Sequence, residues 1–198
     1  MNLVVGLGNP GRHYADTRHN VGYRVVAAFA ERHGILGVPH ECGGCFGRGP
    51  VTADGGPELD VGVLQPQTFM NRSGEVVAEA LKRFPVDDPE AELIVVFDDV
   101  DLPFGRLRIR PAGGSAGHRG LANIIACLGM ECFSRLRFGV DRSPGIGTAD
   151  YVLQPFSESE ESELDSLITL AVEALDAMLF EGTIPAMNRF NRQSAGEE

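Results

Sequence analysis

The sequence predicts a single α/β domain spanning 1–198, with a mixed, mostly parallel twisted sheet and helices on both faces. Three observations predict it. Leu93 to Phe97 (LIVVF) is a continuous apolar run, the mark of a strand buried on both faces. Short apolar runs of strand character alternate with stretches of helical period along the chain. No repeat or linker divides the 198 residues, a length that suits one domain with a sizeable core.

Leu3 to Gly6 reads as a short buried strand. Gly6, Gly8 and Gly11 then spell G-x-G-x-x-G, the spacing of a dinucleotide-binding turn. That fingerprint also needs a helix opening on the third glycine and an acid about 20 positions later at a strand end. Neither is present. Pro10 removes a backbone N–H, Arg12 to His19 is polar and aperiodic, and Glu31 lies inside a helical pattern. A nicotinamide-dependent oxidoreductase is therefore set aside. The glycines turn the backbone, and Asn9, Tyr14, His19 and Asn20 are the groups left to carry chemistry.

Val21, Val25, Ala28 and Phe29 recur at helical spacing between Asn20 and His33, and Gly34 is a natural stop. Gly34 to Gly49 reads as a Gly- and Cys-rich loop. Gly49 to Thr52 and Leu59 to Leu64 read as a hairpin around the turn Ala53-Asp54-Gly55-Gly56-Pro57. Ser73 is placed to cap a helix with the stripe Val76, Val77, Ala80, Leu81 and Phe84, closed by Pro85. After the LIVVF strand, Leu107 and Ile109 alternate with Arg106, Arg108 and Arg110, so that strand has an apolar side and an arginine side. A Gly-rich loop, a helix from about His118 to Leu128 and a strand from Phe133 to Val140 follow. Glu158 to Phe180 is amphipathic, with Leu164, Leu167, Ile168, Ala171, Leu175 and Leu179 on one face.

Hydrophobic residues make up 43% of the chain and no apolar run reaches the length of a membrane span. Met1 leads straight into a strand with no basic stretch, so no secretory signal and a cytoplasmic location are expected. Of the four cysteines, Cys42 and Cys45 form a C-x-x-C, while Cys127 and Cys132 lie far downstream. A zinc or redox pair lacks the strand–helix context it needs. The reading adopted is a small core residue at Cys127 and loop positions for Cys42 and Cys45.

A net charge of −11 counts against a nucleic-acid partner, which ordinarily meets a basic face. The charge is uneven, however. Leu153 to Glu181 holds eight acids and no Lys or Arg, whereas Asp98 to Arg142 holds seven arginines against five acids. A local basic patch can bind phosphates beside an acidic helix elsewhere.

His19 stands in a polar loop after a strand, where α/β sheets place ligands. A histidine base needs its second ring nitrogen held by a carboxylate or carbonyl. Asp98, Asp99 and Asp101 all leave the end of the LIVVF strand, near the end of the first strand. Asp98 and Asp99 should point to opposite faces. No G-x-S-x-G or H-E-x-x-H occurs. A base without a protein nucleophile or metal points to direct attack by water, with an ester as a reasonable target.

Four blocks, taken together, carry a family resemblance. They are Gly6 to Gly11 (GLGNPG) with Tyr14, Thr17 to Asn20 (TRHN) and Gly22; Gln67 to Gly74; Phe97 to Gly105; and Gly113 to Gly120. In order and spacing they resemble bacterial-type peptidyl-tRNA hydrolases, from residue 3 to about residue 190. The resemblance implies hydrolysis of the ester linking an N-blocked peptide to tRNA, with His19 and Asp98 as the catalytic pair. It implies Asn9, Tyr14, Phe69, Met70 and Asn71 as substrate-binding groups, with no cofactor and no metal. Arg108, Arg110 and Arg137 have the charge and fork geometry for tRNA phosphates, and solvated edge-strand arginines are the plain alternative. The chain departs from the pattern at one point: Gly117-His118-Arg119-Gly120 stands where the family has Gly-His-Asn-Gly. Arg119 is retained as a substrate-binding group with an altered role. Peptidyl-tRNA is thus the expected partner, without membrane association, for a monomeric chain. A non-hydrolytic RNA-binding protein of the same fold is the alternative.

Overall fold

The LIVVF run forms the middle of the sheet. In the structure, a computed structural model describing residues 1–40, 42–53 and 56–193, β5 (Leu93–Asp99) is buried along its whole length. It lies parallel between β1 (Asn2–Gly6) and β7 (Ser134–Gly139). On the other side of β1, β4 (Glu58–Pro66) continues the parallel set. The flanks are antiparallel: β3 (Gly44–Thr52) and β2 (Val38–His40) beyond β4, and β6 (Leu107–Arg110) beyond β7. The order β2-β3-β4-β1-β5-β7-β6 makes a seven-stranded mixed sheet whose parallel pairing lies in its four central strands.

Period-two alternation divides each central strand between two cores. On one face Val4, Ile94, Val96, Leu136 and Phe138 meet α1 (Val21–Arg32), α6 (Glu158–Phe180) and α7 (Thr183–Gln193). On the other, Leu3, Val5, Leu93, Val95 and Phe97 meet α2 (Ser73–Arg83) and α4 (Arg119–Leu128). Short helices α3 (Pro89–Glu92) and α5 (Thr148–Val152) precede β5 and α6. A capping box at Ser157 and Glu160 starts α6. The side chain of Asn191 bonds both backbone groups of Ile109, at 2.8 and 3.1 Å, so α7 blunts the outer edge of β6. Among the described residues no helix is long and apolar enough to cross a membrane.

One glycine fixes how the first helix meets the sheet. A Cβ on Gly22 would lie 2.5 Å from the Val96 carbonyl oxygen and 2.6 Å from that of Leu7. Only a residue without a side chain lets the start of α1 approach the ends of β1 and β5 so closely. That approach brings the segment before α1, which carries His19, against the end of β5, which carries Asp98.

Several sequence expectations are corrected. Val38–His40 and the Gly44–Arg48 part of β3 are strands, not loop, because pairing of β2 to β3 and of β3 to β4 compensates for poor strand propensity in a Gly-rich segment, while Gly49–Thr52 is the hairpin strand that the sequence predicts. Cys45 therefore lies in β3 and Cys42 is buried beside it, while Cys127 is exposed on α4 rather than in the core. Ser73 does not cap α2: a single 3-10 turn, Met70–Arg72, runs into the helix, and Ser73 Oγ donates to the Met70 carbonyl at 2.9 Å. The Asp54–Gly55 part of the expected hairpin turn lies outside the described residues.

Candidate active site

Three loops meet beyond the carboxyl ends of the parallel strands β1, β4 and β5, the usual ligand position in such sheets. They bound a cleft of about 580 Å³ together with the Gly-rich segment before α4 and the residues of α5. A volume of this size is ordinary for a small-molecule or substrate site.

The loop after β1 is organised by its asparagines. Asn20 accepts from the Asn9 backbone N–H at 2.8 Å and donates to the Asn9 carbonyl at 2.9 Å, a two-point clamp across eleven residues. Asn9 Oδ1 accepts from the Met70 N–H at 2.8 Å, tying the loop after β4 to the loop after β1. That bond orients the amide, and the Asn9 side-chain NH2 makes no hydrogen bond among the described residues and is a donor left to offer the cleft. Tyr14 and Phe69 stand edge to face across the rim, with ring centroids 6.4 Å apart.

The 3-10 turn Arg18–Asn20 presents His19 to the end of β5. Its Nδ1 lies 2.8 and 2.9 Å from the two carboxylate oxygens of Asp98. His118, the N-cap of α4, approaches the same carboxylate, its Nε2 3.0 Å from Oδ1. The His118 tautomer follows from its other nitrogen: Nδ1 accepts from the Leu121 N–H at 3.1 Å, so the ring hydrogen sits on Nε2 and is donated to Asp98. Asp98 thus receives two imidazole donors. His19, protonated at Nδ1 toward Asp98, keeps the lone pair on Nε2, which has no protein partner among the described residues.

Burial alone would raise the Asp98 carboxyl, but the charges of His19 and His118 and their hydrogen bonds outweigh it and hold the group well below the usual carboxylate range. The carboxylate is therefore ionised at neutral pH. Its neighbour points the other way, as strand geometry requires: Asp99 pairs with Arg137 and accepts from the Asp101 N–H at 2.9 Å.

The ring nitrogens of His19 and His118 and the Asp98 carboxylate lie within 4.8 Å of one another. Two histidines and a carboxylate are a possible ligand set for a transition metal. The Leu121 N–H works against it here, since it occupies the His118 lone pair and leaves a hydrogen on the nitrogen that faces the carboxylate. A hydrogen-bonded triad fits the observed contacts better than a coordination site.

All the residues singled out in the sequence as catalytic or substrate-binding line this one cleft: Asn9, Tyr14, His19, Phe69, Met70, Asn71, Asp98 and Arg119. The three phosphate candidates do not. Arg108 pairs laterally with Arg137 across β6 and β7, and Arg110 and Arg137 line a smaller cavity of about 240 Å³. Ser115, Ala116 and Phe97 border both cavities. The Arg108 guanidinium is pushed down first by partial burial and then by Arg110, Arg137 and Arg106, the sign of a concentrated positive field. Arg137 spends part of its charge on Asp99, whereas Arg135 is buried and holds the carbonyls of Gly113, Gly114 and Glu131.

His118 is the main omission of sequence reasoning, which took it only as a helix start. It is a helix start, yet the same ring reaches Asp98, a contact between residues 20 apart that no local pattern announces. The wall formed by Thr148, Ala149, Val152 and Leu153 was likewise missed. Arg18, beside His19, anchors that wall. It bonds the Pro155 carbonyl at 2.7 Å and Glu160 at 2.6 Å, and its guanidinium stacks 4.3 Å over the Tyr151 ring.

A seven-stranded α/β sheet with a histidine–carboxylate cluster in a cleft at its carboxyl edge belongs to the enzyme class. Comparison with known proteins narrows this. The sequence profile of peptidyl-tRNA hydrolases matches residues 3–198. The chain is 44% identical over 193 residues to the peptidyl-tRNA hydrolase of Carboxydothermus hydrogenoformans, covering 97% of this chain and 99% of that one. It is 46% identical over 193 residues to that of Synechococcus sp. strain JA-3-3Ab, covering 96% and 83% respectively. The crystal structure of peptidyl-tRNA hydrolase from Acinetobacter baumannii superposes with a TM-score of 0.84 at 36% identity, over 96% of this chain and 94% of that one. The chain belongs to the peptidyl-tRNA hydrolase family.

Proposed function

We propose that this chain hydrolyses the ester joining an N-blocked peptide to the 3′-terminal adenosine of tRNA. Nε2 of His19 takes a proton from water, whose oxygen bonds to the ester carbonyl carbon. The tetrahedral intermediate then expels the ribose oxygen, which recovers the proton from His19, leaving a free peptide carboxyl group and tRNA. Asp98 fixes the His19 tautomer and stabilises the transient imidazolium, and His118 holds the carboxylate as a second donor to Oδ1. The single observation that carries this reading is His19 bound to Asp98 through Nδ1 with Nε2 unengaged in the cleft.

The side-chain NH2 groups of Asn9 and Asn71 suit the peptide main chain or the developing oxyanion. Phe69, Met70 and Tyr14 offer apolar and aromatic surface to the terminal base or the first peptide residues. The arginines Arg108, Arg110 and Arg137, next to the cleft, suit tRNA phosphates. The reaction needs no cofactor or metal in this scheme, and the protein acts as one monomeric domain in the cytoplasm. Peptide release from N-acetyl-aminoacyl-tRNA, measured against the unacetylated aminoacyl-tRNA, tests the assignment. Selective cleavage of the acetylated substrate is the expected result. Binding of both without cleavage of either would establish the RNA-binding alternative instead.

A further inference from the structure

We infer that Arg119 binds the 5′-phosphate of the substrate's terminal adenosine, an inference that rests on the hydrolase reading above. Four charged side chains other than the histidines line the cleft, and three are already committed. Asp98 is bridged by His19 and His118, Asp99 pairs with Arg137, and Arg142 pairs with Asp101. Arg119 is exposed and has no ion-pair or hydrogen-bond partner among the described residues.

Its charge is not favoured by its place in the fold. Arg119 is the first residue of α4, whose opening turn contains no acidic residue, and a cation at the positive end of a helix is electrostatically disfavoured. The charge is unsatisfied by the protein and poorly placed for stability, yet it lines the cleft. Its backbone follows His118, which is fixed on Asp98, so the guanidinium is rooted next to the reacting ester.

The substrate's own charges identify the ligand. The peptide carboxyl is esterified and neutral, and the ribose and base carry no charge. The anion nearest the ester is the phosphate on the 5′ oxygen of the same nucleoside. A planar guanidinium suits that group, since it can donate two parallel hydrogen bonds to phosphate oxygens. The alternative anion, the oxyanion of the tetrahedral intermediate, exists in every substrate whether or not a phosphate is attached, and this separates the two roles.

The test compares N-acetyl-phenylalanyl esters of adenosine and of adenosine 5′-monophosphate. The natural chain should prefer the phosphorylated ester by about tenfold in kcat/KM, the scale of one charge-assisted hydrogen bond. In Arg119→Gln that preference should collapse to within about twofold, with Arg119→Lys in between. An undiminished preference in Arg119→Gln, or equal loss on both esters as an oxyanion role demands, would overturn the inference alone. Cleavage of neither ester by the natural chain would overturn the hydrolase reading and this inference with it.

Discussion

Asp98 accepts from His19 and His118 at once, at 2.8 and 3.0 Å to the same oxygen, while the Leu121 N–H occupies the remaining nitrogen of His118. The consequence is a fixed division of labour. Of the two imidazoles only His19 retains a lone pair that can take a proton from water.

Replacing Asp98 by Asn should therefore do more than remove a charge. Two imidazole donors would face one amide oxygen, and the amide NH2 would favour the wrong His19 tautomer. Turnover should fall by on the order of 10² to 10⁴ in steady-state assays, while Asp99→Asn, which faces Arg137, should cost less than about tenfold. Equal or greater damage from Asp99→Asn would transfer the role to that residue.

The depressed Asp98 carboxyl also makes a pH-dependent contribution to stability. A carboxyl held low in the folded state stabilises fully above its unfolded value, near 4, and progressively less as pH falls toward the folded value. In urea unfolding, the stability gap between the natural chain and Asp98→Asn should narrow between about pH 4 and pH 2. A gap that stays constant over that range would show that the carboxylate is not stabilised by its histidines.

Arg18 is a positioning residue rather than a catalytic one. Its bonds to Pro155 and Glu160 and its stacking on Tyr151 hold the α5 wall against the turn that carries His19. Arg18→Gln leaves Glu160 with a weaker neutral partner and should destabilise the fold by about 3 kcal/mol. KM should rise as the wall loosens, and Arg18→Lys should recover part of both effects. Unchanged KM in a destabilised Arg18→Gln would confine the residue to a structural role.

Much of this architecture was legible in the sequence. The LIVVF strand, α6 and the alternating β6 announce themselves because their apolar period matches the element they form. Helix α7 did not, since Pro185 and its polar residues mask a period completed by Ala186 and Phe190. Strand pairing in the segment around Cys45 is set by β4, which extends the hairpin well beyond the residues whose apolar pattern announces it. The cleft residues were found by motif, whereas the bond from His118 to Asp98 arises only when α4 docks on the sheet. Arg108, Arg110 and Arg137 were singled out from the sequence as well, though only the β6–β7 register sets Arg108 beside Arg137.

Neutralising Arg108 and Arg110 together as Gln should weaken tRNA binding. It should also lower the slope of log affinity against log salt by about one unit for each phosphate that is no longer neutralised. Cleavage of an N-acetyl-phenylalanyl ester of adenosine, which carries no phosphate, should fall much less than cleavage of the tRNA ester. An equal fall on both substrates would make these arginines structural.

The most direct test is single-turnover hydrolysis of N-acetyl-aminoacyl-tRNA by His19→Ala, with tRNA affinity and thermal unfolding measured on the same preparation. Loss of the general base should slow the chemical step by on the order of 10³. Affinity should stay within about twofold and the fold intact, because His19 stands on a loop outside both apolar cores. Hydrolysis within tenfold of the natural chain would contradict the assignment of His19 as the base.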